Sequence, residues 1–144
     1  HRYRCQEMNE AGFRSYFREF APDFTLLEPM STFESSAVAQ EMTEKLIRDV
    51  PDLAGLFVAG GGITGVVNCL RQNVEPGQIV VVGHQLIAVT RQALLDNYLT
   101  LLISYPMDDF ATRTIAGMAQ AVRAPDTGNL TNIMPFEIFT RENI

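Results

Sequence analysis

The chain has 144 residues, 47% hydrophobic and 19% charged, which specifies one globular domain with a real core and excludes intrinsic disorder. Its formal net charge of −6 argues against nucleic-acid binding by this chain alone, since phosphate binding needs a basic surface. No apolar run approaches the ~18 residues of a membrane span, and the start, His1-Arg2-Tyr3-Arg4-Cys5, has no apolar signal-peptide segment. The chain opens without a methionine, inside what reads as a helix, so a piece of a longer protein is expected. Cys5 and Cys69 match no metal spacing and read as buried thiols of a reducing compartment.

In chain order, Met8, Ala11, Phe13, Tyr16, Phe17 and Phe20 recur at roughly helical spacing. They predict a helix over 3–20, ended by Pro22. Phe24-Thr25-Leu26-Leu27 reads as a short strand and Glu28-Pro29-Met30-Ser31-Thr32 as a turn. A helix over 35–49 follows, capped by Thr32 or Ser35, with Val38, Met42, Leu46 and Ile47 on its buried face. Pro51-Asp52 breaks it, and 53–59 is a central strand. A helix over 63–72 precedes the turn Glu75-Pro76-Gly77. Residues 78–84 form a strand apolar on both faces, 87–97 a helix, and 99–104 a further strand. Pro106 starts a long helix over 107–122, a polar loop covers 123–131, and a last strand spans 132–140. Pro135 within that strand argues for an edge position. Strands alternate with helices almost throughout. The pattern predicts an α/β fold with a mostly parallel sheet and helices on both faces.

The chain is organised around Leu53 to Gly65, where an apolar run stops in Gly60-Gly61-Gly62 and a helix begins. Glycine permits a sharp turn and close approach of a ligand to the backbone. The same turn also serves as a packing solution without a ligand. Gly60-Gly61-Gly62-Ile63-Thr64-Gly65 fits G-x-G-x-x-G formally, but a dinucleotide site also wants an acidic residue at the end of the next strand. That place holds His84 and Gln85. Asp108-Asp109 opens the long helix, where carboxylates complement the helix dipole, and Glu34 stands just before an earlier helix in the same way. The two histidines, His1 and His84, are few for acid–base or metal chemistry, and no residues form a nucleophile, base and orienter. No metal or other cofactor is implied, and the chain reads as a binder and not an enzyme.

Polar or aromatic groups recur at strand ends. Phe33 and Glu34 follow the first strand, Gly60 and Gly61 the second, His84 and Gln85 the third, and Tyr105 the fourth. Open α/β sheets bind ligands beyond the carboxyl ends of their strands. A small polar ligand there would stack on Phe33 or Tyr105 and hydrogen-bond to His84, Gln85 and glycine N–H groups. The alternatives are core packing for each aromatic and a solvated turn for His84.

The order of these segments resembles the effector-binding region of LacI-type bacterial transcriptional regulators, whose fold is shared with periplasmic sugar-binding proteins. The resemblance is carried by Glu10-Ala11-Gly12-Phe13, Phe33-Glu34, Pro51-Asp52-Leu53-Ala54-Gly55-Leu56-Phe57, Val80-Val81-Val82-Gly83-His84, Ile103-Ser104-Tyr105-Pro106 and the ending Pro135-Phe136-Glu137-Ile138-Phe139-Thr140-Arg141-Glu142-Asn143. It implies a periplasmic-binding-protein type I-like fold in which two subdomains close over a sugar-like metabolite. This chain would supply most of the C-terminal subdomain. The helix over 107–122 would belong to the missing N-terminal subdomain. Operator DNA would be bound only through a helix-turn-helix outside this chain, by a cytoplasmic homodimer with no membrane partner. Dimer contacts would fall on 35–48, 63–72 and near 90–95.

The resemblance carries ligand contacts onto Phe33, Glu34, Gly60, Gly61, His84, Gln85, Tyr105 and Asn9. Asn9 stands where the family often has an arginine, Gly60-Gly61 where it has Asn-Asp, and Gln85 where it has an acidic residue. Loss of bidentate arginine recognition at Asn9 implies a different metabolite or other holding groups. Two further readings use the same residues. One is a periplasmic solute-binding protein of an ABC sugar transporter, which requires a signal peptide upstream. The other is a small α/β enzyme, which requires a carboxylate beside His84.

Overall fold

The structure is a computed structural model that describes residues 3–123 and 133–144. Its elements are α1 (Arg4–Phe20), α2 (Ser36–Asp49), β1 (Gly55–Phe57), α3 (Ile63–Asn73), β2 (Val80–His84), α4 (Ala88–Leu95), β3 (Leu101–Ser104), α5 (Met107–Arg123) and β4 (Glu137–Phe139). Apart from Arg123, the polar loop expected over 123–131 lies outside the described residues, as does Asn132 of the expected last strand.

One sheet runs in the order β1-β2-β3-β4. β1, β2 and β3 are parallel, joined by α3 and α4, and β4 pairs antiparallel with β3 at the sheet's edge. The last strand is shorter than the expected 132–140: β4 begins at Glu137, so Pro135, which cannot donate to a ladder, lies outside the strand and not within it. Val81 and Leu102 are fully buried in the middle strands. They meet Val66, Val67 and Leu70 of α3 and Ala93 and Leu94 of α4 in one core. α3 buries Ile63, Val66, Val67 and Leu70, the i, i+3, i+4, i+7 spacing of one helix face.

α2 packs on α3 closely enough that any Cβ at Gly65 would collide with the Ser36 carbonyl oxygen. The fully buried residues of α2 are Ala39 and Thr43. The expected face of Val38, Met42, Leu46 and Ile47 is only half-buried. A helix this close to its neighbour presents small residues at the contact, and the larger ones flank it. The Thr43 hydroxyl is satisfied by donating to the Ala39 carbonyl at 2.7 Å.

The strand expected over 24–27 does not form; Phe24 lies in a bend and the segment pairs with no strand of the sheet. Its outward groups have another partner: the Leu27 carbonyl accepts a hydrogen bond from the Arg14 guanidinium at 3.0 Å. Phe24 and Leu27 stay exposed. Neither α1 nor α5 buries a residue. α1 is held at its middle by Phe13, whose ring stacks on Phe57 of β1 with centroids 5.0 Å apart and planes 10° from parallel.

Candidate ligand-binding site

The carboxyl end of β1 runs straight into the glycine turn. Gly62 caps α3 with φ of 90°, a conformation that favours glycine. A Cβ there would also lie 2.7 Å from the Ala39 methyl. Gly60 and Gly61 are bare for a different reason. Where a Cβ at Gly60 would stand, the Gln6 amide already sits, and at Gly61 the Glu34 carboxylate does. Glu34 accepts the Gly61 N–H at 2.8 Å on Oε2 and the Gln6 Nε2 amide at 2.7 Å on Oε1. One carboxylate thereby ties α1, the segment before α2 and the β1–α3 turn together.

A tight turn aims Glu34 at this point. The Ser35 N–H bonds the Thr32 carbonyl at 2.9 Å, and the two central residues, Phe33 and Glu34, have φ of 52° and 60°. A type I′ turn needs positive φ at both places, and each costs an L-residue roughly 1–2 kcal/mol. Thr32 then donates its hydroxyl to the Gly61 carbonyl at 3.2 Å. Ser35 is the cap of α2, accepting the Val38 N–H at 3.4 Å. Phe33 is left 78% exposed at the tip of the turn, so it is not a core residue.

At the end of β2 the His84 ring lies 5.7 Å from the Phe57 ring, tilted by 57°. Phe13, Phe57 and His84 form a row leading from α1 across β1 to β2. His84 Nε2 is buried and has no hydrogen-bond partner among the described residues. Burial pushes the imidazole below its ordinary pKa of 6.5, so the ring is neutral at pH 7. A neutral ring offers one donor and one acceptor nitrogen.

Gln85 has φ of 68°, and its N–H continues the β2–β3 pairing to the Ile103 carbonyl at 2.9 Å. Its carbonyl accepts from the buried Thr90 hydroxyl at 2.8 Å, and that hydroxyl accepts the Ile87 N–H at 2.9 Å. Thr90 thus holds the strained residue in place. Backbone strain of this kind concentrates at functional sites. Phe33, Glu34 and Gln85 are three of the four non-glycine residues with positive φ in the described chain.

The structure therefore brings Glu34, Gly60 and Gly61 into one cluster and sets His84 against Phe57. Among the described residues, no hydrogen bond joins Asn9, the Gln85 side chain or Tyr105 to that cluster. Tyr105 follows β3 and is 37% exposed; Asn9 lies on α1, half-buried. Gln6 was not legible in the sequence as a site residue. Its one signal is its position three residues before Asn9, one helical turn away. A separate concavity of about 400 Å³ lies between α1 and the segment after it, lined by Arg14, Phe17, Arg18, Pro22, Phe24 and Leu26. None of its lining residues is among Glu34, Gly60, Gly61 and His84. Arg14 in it is committed to Glu10 and the Leu27 carbonyl.

No three His, Cys, Asp or Glu side chains among the described residues are grouped to hold a metal. No described helix is long and apolar enough to cross a membrane.

The open α/β sheet with its helical crossovers is a periplasmic binding protein type I-like fold, and solved structures similar to this chain share it. One is an Agrobacterium vitis ABC transporter solute-binding protein bound with α-D-tagatopyranose: TM-score 0.85, 21% identity, covering 96% of this chain and 46% of that one. Another is a glucose-galactose binding protein from Geobacillus stearothermophilus, with TM-score 0.84, 14% identity and 96% and 49% coverage. A third is a Bacteroides fragilis protein described as a LacI transcriptional regulator, with TM-score 0.75, 21% identity and 96% and 47% coverage. The chain spans about half the length of these structures. No family model and no curated protein matches the sequence.

Proposed function

We propose that the chain is most of one subdomain of a sugar-responsive, LacI-type transcriptional regulator, and that its ligand binds at the strand ends around Glu34, Gly61 and His84. The observation that carries the reading is the cluster itself: Glu34, held by a strained turn, accepts hydrogen bonds from Gly61 and Gln6 at the edge where this fold takes ligands. At the end of the neighbouring strand β2, His84 presents a buried nitrogen without a partner among the described residues. Phe33, Gln85 and Tyr105 form the rim on this reading, and Asn9 and Gly60 its floor. Neither α1 nor α5 buries a residue in this chain; on this reading α1 faces a second subdomain and α5 belongs to it. The sugar closes the two halves. The closed arrangement alters operator affinity in a cytoplasmic homodimer, because a ligand shifts an equilibrium only as far as it prefers one state.

Selection of bound sequences from random DNA by the parent protein tests this, with and without the sugar that binds it. A regulator enriches one operator-like sequence, and the sugar changes its affinity severalfold. The second reading, a periplasmic solute-binding protein, is favoured by the several ABC-transporter binding proteins among the similar structures. It predicts sugar binding with no sequence enriched.

A further inference from the structure

We propose that Glu34, positioned by Gln6 and Gly61, sets the charge selectivity of the site, admitting neutral or cationic polyhydroxylated ligands and rejecting anionic ones. The inference rests on the ligand site proposed above and narrows its ligand class.

The two glycines and the two side chains are one arrangement. Any Cβ at 60 or 61 would occupy the space of the Gln6 amide or the Glu34 carboxylate. The polar surface at the end of β1 is therefore supplied from α1 and from the segment before α2, not by the β1–α3 turn. A carboxylate has about four acceptor positions on its two oxygens. The Gly61 N–H takes one on Oε2 at 2.8 Å and the Gln6 amide one on Oε1 at 2.7 Å. Both of these donors are uncharged, so they orient the carboxylate without neutralising it. The second acceptor position on each oxygen has no partner among the described residues.

A sugar hydroxyl or an ammonium group meets that need. A ligand carboxylate or phosphate brings a second negative charge and further acceptors to the same place. Like charges at this distance repel, and a ligand that closes the site against water strengthens the effect. His84 supplies no balancing charge, because burial holds its ring neutral at pH 7. Arg14, the nearest basic residue along α1 after Asn9, is committed to Glu10, the Leu27 carbonyl and Glu28.

The test is calorimetric titration of the parent protein with matched sets: glucose, glucosamine and glucuronate, and galactose, galactosamine and galacturonate. The neutral or amino member of a set is expected to bind at least tenfold more tightly than the acid. In Glu34→Gln the amide oxygen still accepts the Gly61 N–H, and melting temperature stays close to wild type. There the preference against the acid is expected to fall below threefold. Wild-type protein that binds an acid as tightly as its neutral parent overturns the inference and leaves the sugar reading standing. So does a preference unchanged by Glu34→Gln. If no member of either set binds, the sugar reading falls, and the inference with it.

Discussion

Glu34 and Gly61 are joined by a 2.8 Å hydrogen bond between a side-chain carboxylate and a backbone amide 27 residues apart in sequence. The contact exists because residue 61 has no side chain. Gly61→Ala places a methyl on the carboxylate's position and displaces it, while Gly61 itself has no positive φ to forbid alanine. The carboxylate is the far end of a flexible side chain and can move away, but the Glu34 Cα would also lie 3.3 Å from the new methyl, so the turn must give slightly and the folding cost is expected to be about 1–2 kcal/mol. Ligand affinity is expected to fall about tenfold or more. Chemical denaturation and calorimetry on the same variant separate the two effects.

Gly65→Ala has the opposite signature. Its Cβ meets backbone, the carbonyl of Ser36 on α2, which cannot rotate away. α2 and α3 must separate where the Ser36 carbonyl lies against Gly65. Overpacking of this kind costs roughly 2–3 kcal/mol. A lowered denaturation midpoint with an unchanged m-value is the expected observation.

His84 makes stability depend on pH in a defined direction. Its folded pKa lies below the ordinary 6.5 because burial penalises the charged ring. The unfolded chain therefore binds more protons in the acid range. The contribution is fully present above about pH 6.5 and is lost as pH falls from there through the folded value. His84→Asn is expected to flatten the slope of stability against pH over that window while leaving the slope above pH 7 unchanged. Denaturant titrations at a series of pH values from 5 to 8 read it directly.

Among the described residues, α1 is tied to the sheet and to α2's leading segment by the Phe13–Phe57 stack and the Gln6–Glu34 hydrogen bond, and to the segment after it by Arg14 on the Leu27 carbonyl and Phe17 against Phe24. Phe13→Ala removes the stack. An aromatic pair is worth about 0.5–1.5 kcal/mol beyond its buried area. Amide protons of α1 are expected to exchange faster in this variant. Those of β2, β3 and α3, which carry the fully buried core, are expected to keep wild-type protection. Hydrogen exchange with mass readout distinguishes this local release from global loss of stability.

The apolar runs ending at His84 and Ser104 were legible as strands from their composition, but only one face of each is fully buried, through Val81 and Gly83 on β2 and Leu102 and Ser104 on β3, while Val80 is exposed and Val82, His84, Leu101 and Ile103 are half-buried. The helices were legible from their periodicity, α3 most clearly. The segment 24–27 has strand composition too. Composition does not supply a partner, and here Arg14 takes the Leu27 carbonyl. On α2 the sequence pointed to the bulky residues, whereas close packing against Gly65 selects the small ones, Ala39 and Thr43. At the site, Glu34, Gly60 and Gly61 could be named from their places at element ends. Gln6 could not, because its spacing from Asn9 does not show that its amide fills the space a side chain at Gly60 would take. Phe33 was named as a stacking group, and its positive φ and exposure arise from a turn whose geometry no residue in Thr32-Phe33-Glu34-Ser35 announces.

The most direct measurement is the melting temperature of the parent protein across a panel of neutral monosaccharides, in wild type and in Glu34→Ala. A ligand that binds only the folded state adds about 2.7 kcal/mol at ~100 times its dissociation constant. A sugar site built on Glu34 predicts a clear upward shift with at least one monosaccharide, and its loss in Glu34→Ala with the sugar-free melting temperature changed by only a few degrees. A panel in which no monosaccharide raises the melting temperature, or a shift that survives intact in Glu34→Ala, would contradict it.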